Sequence, residues 1–189
     1  MASTEAVRTD QPPRWGLAAV AVVGIVVAAV LAAYSHVHPG NGAVITTFGF
    51  STLLAMKSWL STAAIVLIVV QVLSALAMWG RLPGVSAAPA WVGPMHRWSG
   101  TAAFLLTVPV AFHCVWSLGF SDASTRTLVH SLAGCLVYGV FGAKMLSLRV
   151  RGLPGWTLPV LGGGLAVVLT VVWFTSAVWY FGQTGVPAY

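Results

Sequence analysis

Three of the chain's five histidines fall between Met95 and Met145, a stretch that otherwise reads as two long apolar runs joined by a short polar turn. His113 and His130 flank that turn. Histidine is costly in hydrocarbon and needs a partner there, so an intramembrane histidine marks a candidate site. Counted from the turn, both rings should lie roughly 5 to 9 Å inside their helix ends. Two imidazoles at matching depth on adjacent antiparallel helices form the donor pair that six-coordinate haem iron takes, and helix bundles build cofactor sites in this way. The spacing therefore points to one b-type haem with His113 and His130 as axial ligands.

The residues around the pair suit a flat macrocycle. Gly134 stands one turn beyond His130, with Gly139 and Gly142 further along, where the missing side chains let a ring approach the backbone. Pro109, four residues before His113, can bend its helix and free a carbonyl. Ser117 or Ser131 could orient an imidazole through its second nitrogen.

The remaining histidines carry weaker signals. His36 and His38 form a His-x-His pair in a loop, a spacing that serves copper or zinc only where further ligands converge. His96 stands 17 residues before His113, a rise of roughly 25 Å, so these two cannot share a metal. With Arg97 and Trp98 it reads as an interface marker. His36, His38 and His96 remain possible secondary metal ligands. Cys114 and Cys135 both lie in apolar runs, where a cysteine is usually a small hydrophobe.

The elements that must position these residues are membrane spans. Of the 189 residues, 58% are hydrophobic and 6% charged, against roughly 25% charged in a typical soluble domain. The fold class is all-α, a polytopic membrane helix bundle with five transmembrane helices. The spans are expected over Gly16 to Tyr34, within Leu53 to Trp79, and over Met95 to Leu118, Thr127 to Leu148 and Trp156 to Phe181, with Gly119 to Arg126 as the tight turn. A first run of 19 uncharged residues exceeds the core of a cleaved signal peptide, about 7 to 15 residues, and reads as a retained span. Residues 1–14 are expected as a disordered cytoplasmic tail, 15–182 as the transmembrane domain and 183–189 as an extracytoplasmic tail. Lys57, near the start of the second span, is expected to snorkel to the interface beside Trp59. Gln71 should bond to a neighbouring helix.

Charge supplies the orientation. Arg8, Arg14, Arg81, Arg97, Lys144, Arg149 and Arg151 fall on one side of such a bundle, Lys57 and Arg126 on the other. Seven against two places the N-terminus in the cytoplasm and the C-terminus outside, with His113 and His130 near the outer face. The formal charge of +6 is scattered through the loops, with no basic arm for a nucleic acid.

The segments HRWSG (96–100), PVAFHC (109–114), LVHSLAGCLVYGVFGAKM (128–145) and TTFGFSTLLAMKSWLST (46–62) resemble a family of small five-span bacterial membrane proteins of unknown function. The resemblance runs from about Trp15 to the end of the chain. More remotely, His96 to Gly100 and His130 to Gly134 look like the His-x-x-x-Gly elements of the cytochrome b561 and ferric-reductase-like families. Those families hold b haems between helices through paired histidines and move electrons across the membrane. The resemblance implies His130 as a ligand, His113 as its nearest partner and His96 as a remnant of an inner site. It departs from those families in offering one histidine, not a pair, on the inner side.

The expected function is a b-type cytochrome-like electron-transfer subunit in the bacterial plasma membrane. Its cofactor would be haem b, and its partners the lipid bilayer, a quinol or a redox partner subunit, with a homo-oligomer possible; no substrate pocket is legible. Two readings stand beside it. One is an outward-facing copper or iron site built from His36, His38, His113, His130 and Cys114; the other is a cofactor-free structural or assembly subunit.

Overall fold

The computed structural model describes residues 14–186. The tail expected over residues 1–14 lies outside them apart from Arg14, as do residues 187–189. Five helices are long and apolar enough to cross a membrane: α1 Arg14–Val37, α2 Leu53–Met78, α3 Val92–Leu118, α4 Thr125–Ser147 and α5 Thr157–Thr184. Each exceeds the roughly 20 residues that cross a bilayer. Within the described residues the chain is all-helical between its loops.

Helix starts follow local chemistry. Ser124 caps α4: its hydroxyl accepts from the Thr127 N–H at 3.2 Å while the Thr127 hydroxyl accepts from the Ser124 N–H at 3.0 Å. This reciprocal box starts α4 at Thr125, two residues ahead of the expected boundary. Thr52 caps α2 through the Ala55 N–H at 3.0 Å. At the other end of the chain α5 runs to Thr184, two residues into the expected tail.

Two helices change pitch. The last turns of α3, His113–Leu118, and a segment of α5, Phe174–Val178, are π-helical. The first follows Pro109, which has no N–H to give the helix ladder. Such segments recur at functional sites because they re-aim side chains; here both lie beside the same cavity.

Packing order differs from chain order. α3 packs on α2, α2 on α5, α5 on α4 and α4 on α1. The C-terminal end of α1 then meets the π-helical end of α3: the Phe120 N–H donates to the Ser35 carbonyl at 2.8 Å and the Gly42 N–H to the Ser117 carbonyl at 2.9 Å. Gly40 is required at this crossing, because a Cβ there would run into the backbone of Ser117 and Leu118. The α1 and α4 backbones approach just as closely at Gly24 and Gly139.

Helices α3 and α4 were expected to face each other directly. They are instead held apart, and meet at mid-depth through long side chains: Phe104 stacks on Phe141 at 4.2 Å, and the Tyr138 hydroxyl donates to Thr107 Oγ1 at 3.0 Å. Above that contact, toward the α3–α4 turn, the five helices enclose a cavity.

Candidate functional site

The cavity has a volume of about 580 Å³ and takes walls from all five helices, within the roughly 300–1,000 Å³ typical of cofactor sites. The Tyr138–Thr107 bridge lies on its wall, and Trp173 joins α5 to α2 by donating its indole N–H to Thr62 Oγ1 at 2.9 Å. The lining is mainly apolar, with a small set of polar groups: Lys57, Cys114, Arg126 and His130 lead them. Among the described residues no aspartate or glutamate lines it.

His130 is held on the wall by α5. Its Nδ1 lies 3.1 Å from Thr175 Oγ1, and the Thr175 hydroxyl donates to the Val171 carbonyl at 2.8 Å. A hydroxyl has one proton to give. With that proton directed at the Val171 carbonyl, Thr175 accepts from the ring, an arrangement that puts the imidazole proton on Nδ1 and the lone pair on Nε2. Thr175 sits in the π-helical segment, whose shifted register brings it to the ring.

His113 has the same tautomer by a different route. Its Nδ1 donates to the Pro109 carbonyl at 2.8 Å, so Nε2 again carries the lone pair. The ring is 1% exposed, and Nε2 has no hydrogen-bond partner among the described residues. Ser117, one turn on, is fully buried with its Oγ likewise unpartnered. Orphaned buried polar atoms cost about 1–3 kcal/mol each. His113 and Ser117 do not line the cavity, although Phe112, Cys114 and Trp116 do. The two histidines therefore share one end of the bundle and one tautomer, with His130 on the cavity wall and His113 on the adjoining buried face of α3.

Cys114 occupies the place on the wall that the sequence reading gave to its neighbour. Lys57 and His130 lie beside its thiol. Lys57 does not snorkel outward: it is 7% exposed and lines the cavity. Arg126 donates from Nη1 to the Thr175 carbonyl at 2.7 Å and lies 3.8 Å over the Trp179 ring, so it is fixed in place as it lines the cavity. These cations carry no motif; the only signal for them was their position near the ends of α2 and α4.

Of the glycines, Gly134 lines the cavity and an added Cβ there would meet nothing within 4 Å. Gly139 and Gly142 serve helix packing instead, since a Cβ on either would meet α1, at Gly24 and Ala28 or at Val23 and Val27. Nor do the serines orient the rings: Ser131 exchanges hydrogen bonds with the Ser121 backbone, donating to its carbonyl at 3.2 Å and accepting from its N–H at 3.1 Å.

His36 and His38 are exposed at the end of α1. His38 stacks on Tyr34 at 4.2 Å and His36 meets Phe120 edge-on at 5.8 Å. Neither lines the cavity, and among the described residues no three His, Cys, Asp or Glu side chains come together to hold a metal ion. His96 lies at the opposite end, where Gln71 bonds across from α2 to the His96 carbonyl and to Ser99 Oγ, the latter at 2.7 Å, as expected of an intramembrane glutamine.

No curated protein and no solved structure matches the chain. The model of a family of unknown function, DUF6529, matches residues 17–188, nearly the whole chain, and the protein belongs to that family.

Proposed function

We propose that the protein is an integral membrane electron-transfer subunit that holds one haem b in the cavity beside the α3–α4 turn. The observation that carries this reading is His130 on the wall of a cavity of about 580 Å³, its Nδ1 engaged by Thr175, with two cations and, among the described residues, no carboxylate in the lining. When bound, haem iron supplies a one-electron couple, which none of the side chains here can provide alone.

The chain's own residues would do the holding. His130 would hold the iron through Nε2, with Thr175 Oγ1, 3.1 Å from its Nδ1, orienting the ring. Lys57 and Arg126 offset the two propionate charges, which would otherwise be costly at this depth. Gly134 leaves room for the ring edge. The apolar remainder of the wall excludes water and so sets the potential.

His113 would be the second residue to hold the iron, because its buried Nε2 has no hydrogen-bond partner among the described residues. Cys114 rather than His113 lines the cavity, so this second contact would need the His113 ring to turn from the buried face it occupies. The charge bias supports an outward-facing position for this end of the bundle in a bacterial plasma membrane, and the electron partner would then be a quinol or an extracytoplasmic protein.

The test is the visible spectrum of the detergent-purified protein, oxidised and then dithionite-reduced, with a pyridine haemochrome assay on the same sample. Stoichiometric haem b with a low-spin reduced spectrum is expected. His130→Ala should remove it, and His113→Ala should remove it or convert it to a high-spin form. A colourless protein from cells with ample haem would overturn the proposal.

A further inference from the structure

The opposite end of the bundle carries a second cavity, of about 220 Å³, bounded by α2, the start of α3, the end of α4 and the start of α5. His96, Lys144 and Arg81 line it, and among the described residues no carboxylate does. Its other walls are apolar, with Val72, Leu76 and Leu165 among them. At Gly162 and Gly163, also on the wall, an added Cβ would meet nothing within 4 Å.

His96 is set in this cavity as His130 is set in the other. Its Nδ1 lies 2.7 Å from Ser74 Oγ, and Ser74 donates to the Val70 carbonyl at 2.7 Å. The serine therefore accepts from the ring, the proton rests on Nδ1, and Nε2 keeps its lone pair. Ser74 is 2% exposed and holds the ring, while Gln71 bonds to the His96 carbonyl and holds its backbone. Gly100 makes that possible: a Cβ there would stand 2.9 Å from Gln71 Oε1.

Depth selects the ligand class. His96 lies about 6 Å and Lys144 about 4.5 Å inside their helix ends, at headgroup level and above the hydrocarbon centre. A volume near 220 Å³ admits a polar headgroup but not a macrocycle. Two cations without a carboxylate call for an anion, and basic recesses between membrane helices bind phosphate-bearing lipid headgroups. The neutral His96 Nε2 adds an acceptor, which a headgroup hydroxyl would satisfy. The apolar walls suit the first carbons of the acyl chains.

We propose that this cavity binds an anionic glycerophospholipid with a hydroxylated headgroup, its phosphate between Lys144 and Arg81 and a headgroup hydroxyl donating to His96 Nε2. The site needs no haem and does not depend on which way the bundle faces.

The test is a thermal-shift titration of the full-length protein in detergent with phosphatidylglycerol, phosphatidylcholine or inorganic phosphate. Only phosphatidylglycerol should raise the melting temperature at low concentration. Lys144→Gln and Arg81→Gln should each raise its half-saturating concentration about five-fold, the weight of one basic residue near a charged membrane surface. His96→Leu should weaken the response as well. Arg149→Gln, at the same end but off the cavity wall, should titrate as the parent does. Arg81 is exposed, so its variant folds even where Lys144→Gln does not. Unchanged titrations in both charge variants, or equal protection by phosphatidylcholine or inorganic phosphate, would overturn the assignment.

Discussion

His130 Nδ1 lies 3.1 Å from Thr175 Oγ1, and the Thr175 hydroxyl donates to the Val171 carbonyl at 2.8 Å, which leaves Thr175 as the acceptor for the ring. One side chain on α5 thus decides which nitrogen of a ring on α4 is available. Thr175→Val keeps the shape and removes the acceptor. Loss of such an orienting partner typically costs 10- to 100-fold in metal affinity. The expected result is a protein that folds, loses haem on dilution far faster than the parent, and regains retention in Thr175→Ser. Equal retention in the valine variant would show that His130 is not held for a ligand.

Lys57 and Arg126 face the same cavity yet should fail in different ways. Lys57 is one of two cations on the wall and is proposed to meet a propionate, a charge-assisted contact worth about 1.5–3 kcal/mol. Lys57→Gln should therefore weaken haem retention about ten-fold or more, while relieving a buried charge and leaving the melting temperature of haem-free protein unchanged or higher. Arg126 also ties the start of α4 to α5 through the Thr175 carbonyl and the Trp179 ring. Arg126→Gln should lower both retention and the stability of haem-free protein, the latter by about 1–2 kcal/mol. Parallel retention assays and thermal melts of haem-free samples separate the two; identical behaviour would sink the distinction.

The five spans were legible because each is a long apolar run and because charge gathers between the runs. The Ser124 to Thr127 cap is a local pattern, and even it moved a boundary by only two residues. What the sequence hid is lateral. Nothing local to α3 and α4 says that they are held apart by Phe104, Tyr138 and Phe141, because chain order suggests that a short turn makes neighbours. Lys57 was misread because snorkelling and inward burial begin from the same residue near a helix end. Thr175 lies 45 residues from His130 in an apolar run, and a lone threonine there usually bonds its own backbone.

Gly139 and Gly134 illustrate the same ambiguity. Small residues on a membrane helix serve either a cofactor or a neighbouring helix, and the pattern alone does not separate the two. In the fold, a Cβ on Gly139 would stand 2.5 Å from the Gly24 carbonyl oxygen, whereas one on Gly134 has open space. Gly139→Leu should accordingly destabilise the bundle by about 1–3 kcal/mol or prevent its accumulation. Gly134→Ala should melt with the parent and act, if at all, on haem retention. Melting both in detergent decides the matter; a stable Gly139→Leu protein would contradict the α1–α4 packing.

The orientation of the bundle can be settled apart from any cofactor. Counted along the sequence, seven basic residues fall on the same side of the spans as the N-terminus, Arg8 among them outside the described residues, against two on the other, which favours a cytoplasmic N-terminus; both residues on the minority side, Lys57 and Arg126, line the larger cavity. A reporter active only in the cytoplasm should therefore work when fused to the N-terminus and fail at the C-terminus. The pattern should survive loss of Arg81 and Arg97 together, since five against two remains. An external N-terminus would move the larger cavity to the cytoplasmic face, where its electron partner would have to be a cytoplasmic protein or a quinol, while leaving the geometry of His130 and Thr175 untouched.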